Sequence, residues 1–262
     1  MLDNLLFLIV SGLFSGLLAG LLGIGGGTIL VPLLVTLGHM PVQAVATSSL
    51  AIVITSLSGS IQNWRRGYLD LQRVILLGSP ALITAQLGVH TANLLPDYML
   101  LTTLGILLII NVFLGNLRQR LATRLASTHT KTIKIFTIIA RLGTGGTAGF
   151  LAGLFGIGGG VIMVPLQILF LGETIKIAIQ TSLGVIVITT LSATIGHALQ
   201  ENVVFPIGLI LGVGGLVGSR ISTSLLPKLP DRVVQFCFYG LLVILAVYTF
   251  WQAWQSYSRT YN

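Results

Sequence analysis

Gly16–Leu33 reads GLLAGLLGIGGGTILVPL, and Gly149–Leu166 reads GFLAGLFGIGGGVIMVPL. At an offset of 133 the two stretches agree at 14 of 18 positions. One inserted residue then moves the offset to 134. On that register Ala46-Thr47-Ser48 meets Gln180-Thr181-Ser182, and Pro96-Asp97 meets Pro230-Asp231. Repetition on this scale sets the organisation of the whole chain. Residues 1–130 form a first repeat and 131–262 a second, with the polar stretch Arg118–Lys134 as the expected linker on the cytoplasmic side.

The unit that is repeated is not a water-soluble one. Of 262 residues, 54% are hydrophobic and only 8% charged, and the mean hydropathy is +0.97. A soluble domain carries about 25% charged residues to solvate its surface. The net charge of +8 would suggest nucleic acid in a soluble protein. Here the basic residues are few and separated by long apolar runs, so nucleic acid is excluded as a partner. A single cysteine, Cys237, excludes a disulfide scaffold. The apolar stretch from Leu5 lacks a basic leader, with Asp3 as its only early charge, and reads as retained rather than cleaved. These features predict an all-α polytopic protein of the plasma membrane. Apolar segments are expected near 4–22, 27–38, 42–62, 70–94 and 97–117, and again near 137–155, 160–172, 176–197, 203–226 and 232–254.

The first two segments of each repeat could make one long crossing, or two half-length helices that enter and leave on one side. Lys and Arg gather on cytoplasmic flanks, so their count discriminates. With simple crossings the repeats run parallel, and the basic residues split ten to four. With re-entrant pairs the second repeat is inverted, and every basic residue except Arg259 falls on one side. The better charge segregation predicts two inverted-topology repeats, each a re-entrant or broken helix pair plus three transmembrane helices, a plan that recurs in transporters.

Within each pair the break falls on glycine. Three consecutive glycines, Gly25–Gly27 and Gly158–Gly160, each cost about 1 kcal/mol relative to alanine inside a helix. Unwound backbone at membrane depth needs protein or a water-filled cavity around it. Amides of Gly25, Gly26, Gly27 and Thr28, and of Gly158, Gly159 and Gly160, would then form an anion site without any ionised side chain. Close helix packing is the plainer use of membrane glycines; duplication, with Pro32 and Pro165 five residues beyond each triplet, argues for a functional break. No GK[ST] follows, which counts against nucleotide binding.

Hydroxyls at matched positions, Thr47 and Ser48 in one copy and Thr181 and Ser182 in the other, could donate to oxyanion oxygens, or could simply bond their own helix carbonyls. Arg220, where the first copy has Gln86, could attract substrate or snorkel to the interface. Asp3, Asp70, Asp97, Glu173, Glu201 and Asp231 all fall in expected loops or helix ends. His90 and His197 are the titratable alternatives near the membrane interior. No catalytic constellation, metal-ligand spacing or cofactor motif emerges, so an enzyme is not expected.

The duplicated GLxAGLxGIGGGxxxVPL stretch, with the Ala-x-Thr-Ser helix start, resembles the TauE/SafE sulfite exporter family of membrane transporters, over almost the whole chain. That resemblance implies a small anionic substrate such as sulfite, a sulfonate or a carboxylate. By motif position it points to Gly25–Gly27, Thr47, Ser48, Gly158–Gly160, Thr181 and Ser182. His197 stands where the first copy has Asn63, a departure from the His-Tyr-like pair that family members often carry. The expectation is a secondary transporter working by alternating access, partnered by a small anion and the bilayer, with a homo-oligomer left open. An anion channel lined by the two broken pairs is the alternative, and a membrane scaffold would leave the glycine breaks without a purpose.

Overall fold

The structure is a computed structural model that describes residues 2–125 and 134–261, with side chains over 5–113 and 137–258. Among the described residues there are ten α-helices. The first repeat holds α1 (Leu2–Leu22), α2 (Gly27–Thr36), α3 (Pro41–Arg65), α4 (Leu71–Leu94) and α5 (Asp97–Leu125). The second holds α6 (Lys134–Phe155), α7 (Gly160–Phe170), α8 (Ile175–Leu199), α9 (Phe205–Leu225) and α10 (Asp231–Tyr261). Helix starts follow local chemistry. Asp70 caps α4 by accepting from the amides of Gln72 and Arg73 at 3.0 and 3.2 Å. Pro41 opens α3, where its missing N–H costs nothing. The expected linker is helical through Leu125; residues 126–133 lie outside the described residues.

Among the described residues, seven helices are long and apolar enough to cross a membrane. Large apolar side chains cover their outer faces, including Leu94, Phe236 and Val247. An apolar belt of that extent belongs in lipid. Trp64, Trp251, Trp254 and Tyr257 are exposed near helix ends, where aromatic anchors sit at a membrane interface.

Glycine ridges set the helix neighbours. A methyl group at Gly12 or Gly16 would run into the carbonyls of Leu211 and Gly215, and one at Gly20 would meet Ser219 and Ser222. The ascending register shows α1 beside α9 in the same direction. Gly145, Gly149 and Gly153 make the equivalent ridge on α6, against Leu77, Ala81 and Ala85 of α4. Small residues four apart bring helix backbones close enough for dense packing. Helix α3 also ascends with α9, since Gly208 faces Leu50 and Gly212 faces Ile54. Helix α8 ascends with α4, where Gly184 faces Val74 and Ser192 Oγ donates to the Leu82 carbonyl at 2.8 Å. Between the halves the sense reverses. Ile52 of α3 and Ile186 of α8 meet at the same glycines, while Gly59, further along α3, faces Leu183, earlier in α8.

One expectation changes. The first arm of each broken pair is not half-length: α1 has 21 residues and α6 has 22, against 10 and 11 for α2 and α7. The glycine ridges explain this, because each first arm packs along its length on a full helix of the other repeat. Only the return arm is short. The chain does double back, as Ser15 in α1 donates to the carbonyl of Gly26, 11 residues later, at 3.0 Å.

Candidate functional site

The two breaks meet at the middle of the molecule. Each N-cap, Gly26 or Gly159, has left-handed backbone, with φ of 81° and 78°. Such angles cost a side-chain-bearing residue about 1–2 kcal/mol. Gly27 lies against Gly156 and Ile157, and Gly160 against the carbonyl of Gly23, so the breaks touch each other directly. Ile52 and Ile186 close over both. Residues Gly23–Thr28 and Gly156–Val161 are buried throughout.

Leaving the helix frees backbone donors. Among the described residues no acceptor reaches the amides from Ile24 to Thr28, nor those from Ile157 to Val161. Both sets lie at the N-terminal end of a short helix, where partial positive charge accumulates. Thr28 adds a hydroxyl that is 1% exposed and has no partner among the described residues. Donors in this arrangement suit an anion.

Ser48 and Ser182 hold the breaks across the repeat boundary. Ser48 Oγ lies 2.9 Å from the carbonyls of both Gly156 and Val45. Ser182 Oγ lies 3.0 Å from the Gly23 carbonyl and 2.9 Å from that of Ile179. Each hydroxyl has one proton, directed at backbone. Thr47 Oγ1 accepts from the amide of Val204 at 3.1 Å, tying α3 to the start of α9. Thr181 is buried beside Ser182. The glycines, Thr28, Ser48 and Ser182 thus come together around one centre, with Thr47 and Thr181 next to the two serines in the chain.

Arg220 does not join them. It is exposed on the outer face of α9 and lines surface grooves with Gln62, Ser58 and Arg65. Its counterpart Gln86 donates to the Ser192 carbonyl at 2.6 Å. His90 is also exposed, whereas His197 is fully buried. A cavity of about 360 Å³ lies at the far end of α2, lined by Thr36, His39, Asp97 and Gln252 among others, and does not include the glycines. Among the described residues no three His, Cys, Asp or Glu side chains come together as a metal site would need.

Two further residues belong to the centre. Ser15 holds Gly26, and Thr189 Oγ1 donates to the Gly158 carbonyl at 3.0 Å. Ser15 carried a signal in the repeat itself, since its counterpart is Ala148. Thr189 carried none, because its counterpart Thr55 turns to its own helix, at the Ala51 carbonyl.

Comparison with known proteins agrees with this architecture. The profile of the family described as Sulfite exporter TauE/SafE matches residues 8–249. The "Probable membrane transporter protein YunE" of Bacillus subtilis is 24% identical, covering 92% of this chain and 96% of its own. A "Probable membrane transporter protein" of Xylella fastidiosa, strain Temecula1, is 29% identical over 97% and 98%. No solved structure matches. The chain belongs to the sulfite exporter TauE/SafE family and is a multi-pass membrane transporter rather than an enzyme.

Proposed function

We propose that this member of the TauE/SafE family is a secondary transporter for a small oxyanion, sulfite or an organosulfonate or carboxylate of similar size. The observation that carries the reading is the pair of abutting helix breaks with two runs of acceptor-free amides. An oxyanion replaces its hydration shell there with N–H donors and the Thr28 hydroxyl, and no buried cation need be desolvated. Thr47 and Thr181 flank the bound anion. Ser48 and Ser182 keep the glycine carbonyls turned away, so that the amides face the substrate. Arg220, on the rim, adds long-range attraction.

The mechanism is alternating access between two inverted repeats. Helices α1, α3 and α9 share one direction and α4, α6 and α8 share another, which supports the inversion. Burial of both breaks supports a carrier that occludes its cargo over an open channel. The test is counterflow of labelled sulfite, taurine and acetate in proteoliposomes. Saturable exchange of at least one anion, lost in the Gly26→Ala/Gly159→Ala double variant with membrane insertion retained, is expected. Cation movement with no response to these anions overturns the proposal, and ohmic conductance converts it to a channel.

A further inference from the structure

Thirteen residues beyond the hydroxyl pairs, the repeats diverge in chemistry at matched positions. On the 134 offset Ser60 corresponds to Thr194 and Asn63 to His197. Ser60 and Asn63, and likewise Thr194 and His197, lie three residues apart on one helix face. All four carry buried polar atoms without a hydrogen-bond partner among the described residues: Ser60 Oγ, both amide atoms of Asn63, Thr194 Oγ1 and His197 Nδ1. Asn63 and His197 are both 0% exposed. Buried orphan atoms of this kind ask for an explanation.

The histidine has one bond. Its Nε2 lies 3.1 Å from the carbonyl of Gly153. A carbonyl only accepts, so Nε2 carries the hydrogen in the neutral ring. Nδ1 is then an unprotonated lone pair facing no donor among the described residues. Gly153 lies in the last turn of α6, three residues before the second break. Carbonyls there have no intrahelical partner and hold partial negative charge. In the first repeat no side chain caps the equivalent carbonyl, that of Gly20, among the described residues.

We propose that His197 is a proton-binding site that couples substrate movement to a proton gradient. This rests on the transporter reading above. A proton taken from water adds to the vacant Nδ1 lone pair, giving an imidazolium with both nitrogens as donors. The bond from Nε2 to Gly153 becomes charge-assisted and stronger, and the added charge favours the C-terminal end of α6. The first arm of the second break is thereby fixed to α8. Loss of the proton loosens it. Asn63, at the matched place, cannot take a proton, so only one of the two gates is sensitive to pH. With the basic flanks placed in the cytoplasm, His197 lies toward the outer face.

The surroundings favour a site set by proton supply rather than by neighbouring charge. Arg73, Glu173, Lys176 and Asp231 cluster at the start of α8, about 30 Å away at 1.5 Å per residue. Arg65 of α3 belongs to that same end, given the reversed sense of α3 and α8. Arg141 of α6 stands 12 residues before Gly153, about 18 Å along the helix. At the His197 end of the fold lie His90 of α4 and Glu201 just beyond α8, both exposed, together with His39 after α2 and Asp97 at the start of α5, which line the cavity there. No described charged side chain bonds to the ring. From α7 comes no titratable group at all.

Two measurements test the assignment. First, His39, His90 and His129 are changed to Gln, leaving His197 as the sole histidine, and nitrogen NMR follows it in nanodiscs. The Nε2–H tautomer at high pH and protonation at Nδ1 on acidification are expected. The opposite tautomer, or a ring that stays neutral throughout, overturns the proposal. Second, sulfite is added to proteoliposomes containing a trapped pH dye. Wild-type protein should show sulfite-dependent proton movement. His197→Asn, which copies the first repeat, should reduce it to the protein-free rate while sulfite counterflow continues. Unchanged proton movement in His197→Asn overturns the coupling role. Absence of sulfite counterflow in the wild type strikes at the transporter reading instead, and the NMR titration then decides the proton site by itself.

Discussion

The two helix breaks share 14 of 18 residues yet are held by different neighbours, and the differences separate what makes a break from what tunes it. Common to both are the left-handed N-cap glycine, the serine donating across the repeat boundary, and the glycine ridge under the first arm. The first break alone has Ser15 on its N-cap carbonyl and an unpartnered Thr28. The second has Ala148 and Val161 at those places, with Thr189 and His197 holding it from α8. The shared features define a backbone site. The unshared ones give the two gates unequal stiffness.

The largest effect should come from the N-cap glycines, and it should be unequal. Alanine at either position meets the left-handed penalty of about 1–2 kcal/mol. At Gly26 the new methyl runs first into the Ser15 hydroxyl, which can rotate away; at Gly159 it runs into the backbone carbonyl of Ala148. Overpacking against immovable backbone adds about 1–3 kcal/mol. Gly159→Ala should therefore lower the melting temperature more than Gly26→Ala. Removing Ser15 as well, in Ser15→Ala/Gly26→Ala, should leave the first break closer to the second. Equal shifts for the two single variants would mean that the breaks are interchangeable.

Next come the serines, where the repeats should behave alike. Ser48→Ala and Ser182→Ala each leave a buried glycine carbonyl without its donor, at about 1–3 kcal/mol. Matching losses, in thermal stability and in counterflow rate together, would support a symmetric clamp. A loss in one variant alone would assign the clamp to a single repeat.

Thr28 and Val161 offer an exchange of smaller size. Thr28→Val removes an unpartnered buried hydroxyl and should raise stability by about 1 kcal/mol. If Thr28 donates to the anion, the same change weakens binding by about 1.5–3 kcal/mol, roughly ten- to hundredfold. Calorimetry of sulfite binding against melting temperature separates the two. A variant both less stable and unchanged in binding would show that Thr28 belongs to packing.

Much of this was legible in the chain. Periodic apolar runs ended by glycine or Pro-Asp placed all ten helices, with the C-terminal ends of α5 and α10 eight and seven residues beyond expectation, because lipid demands long satisfied helices and leaves few other solutions. The duplicated glycines located the centre. Less visible was the length of α1 and α6, since a four-residue glycine ridge reads equally well as flexibility until its partner helix is known. The roles of Ser48 and Ser182 were hidden for a related reason: their acceptors lie 108 and 159 residues away. Arg220 could be read either as a substrate contact or as a snorkelling side chain, because helix phase alone does not say which face meets lipid.

The smallest predicted effect concerns the loops where the short arms end. At the matched positions His39 and Glu173, the first repeat has an open cavity beside Asp97, and the second has an ion pair. Arg73 donates to Glu173 at 2.9 Å and also pairs with Asp70 at 2.8 Å. Burial raises the Glu173 carboxyl above its ordinary value, Arg73 and Arg141 pull it down in part, and Asp70 pushes it up again. A folded-state value above the unfolded one means that the folded protein binds the proton more tightly. The resulting stability is present below the unfolded value and is lost as pH rises through the folded one. Wild-type protein should therefore gain stability relative to Glu173→Gln as the medium is acidified from neutrality, by less than the preceding variants change it. The mirror substitution, Met40→Thr with His39→Glu, should give the first repeat a gain of the same sign if its loop buries the new carboxyl, because Ile207, matched to Arg73, supplies no positive charge to pull the value down. No pH-dependent gain in that variant would show that the two loops bury a carboxyl unequally.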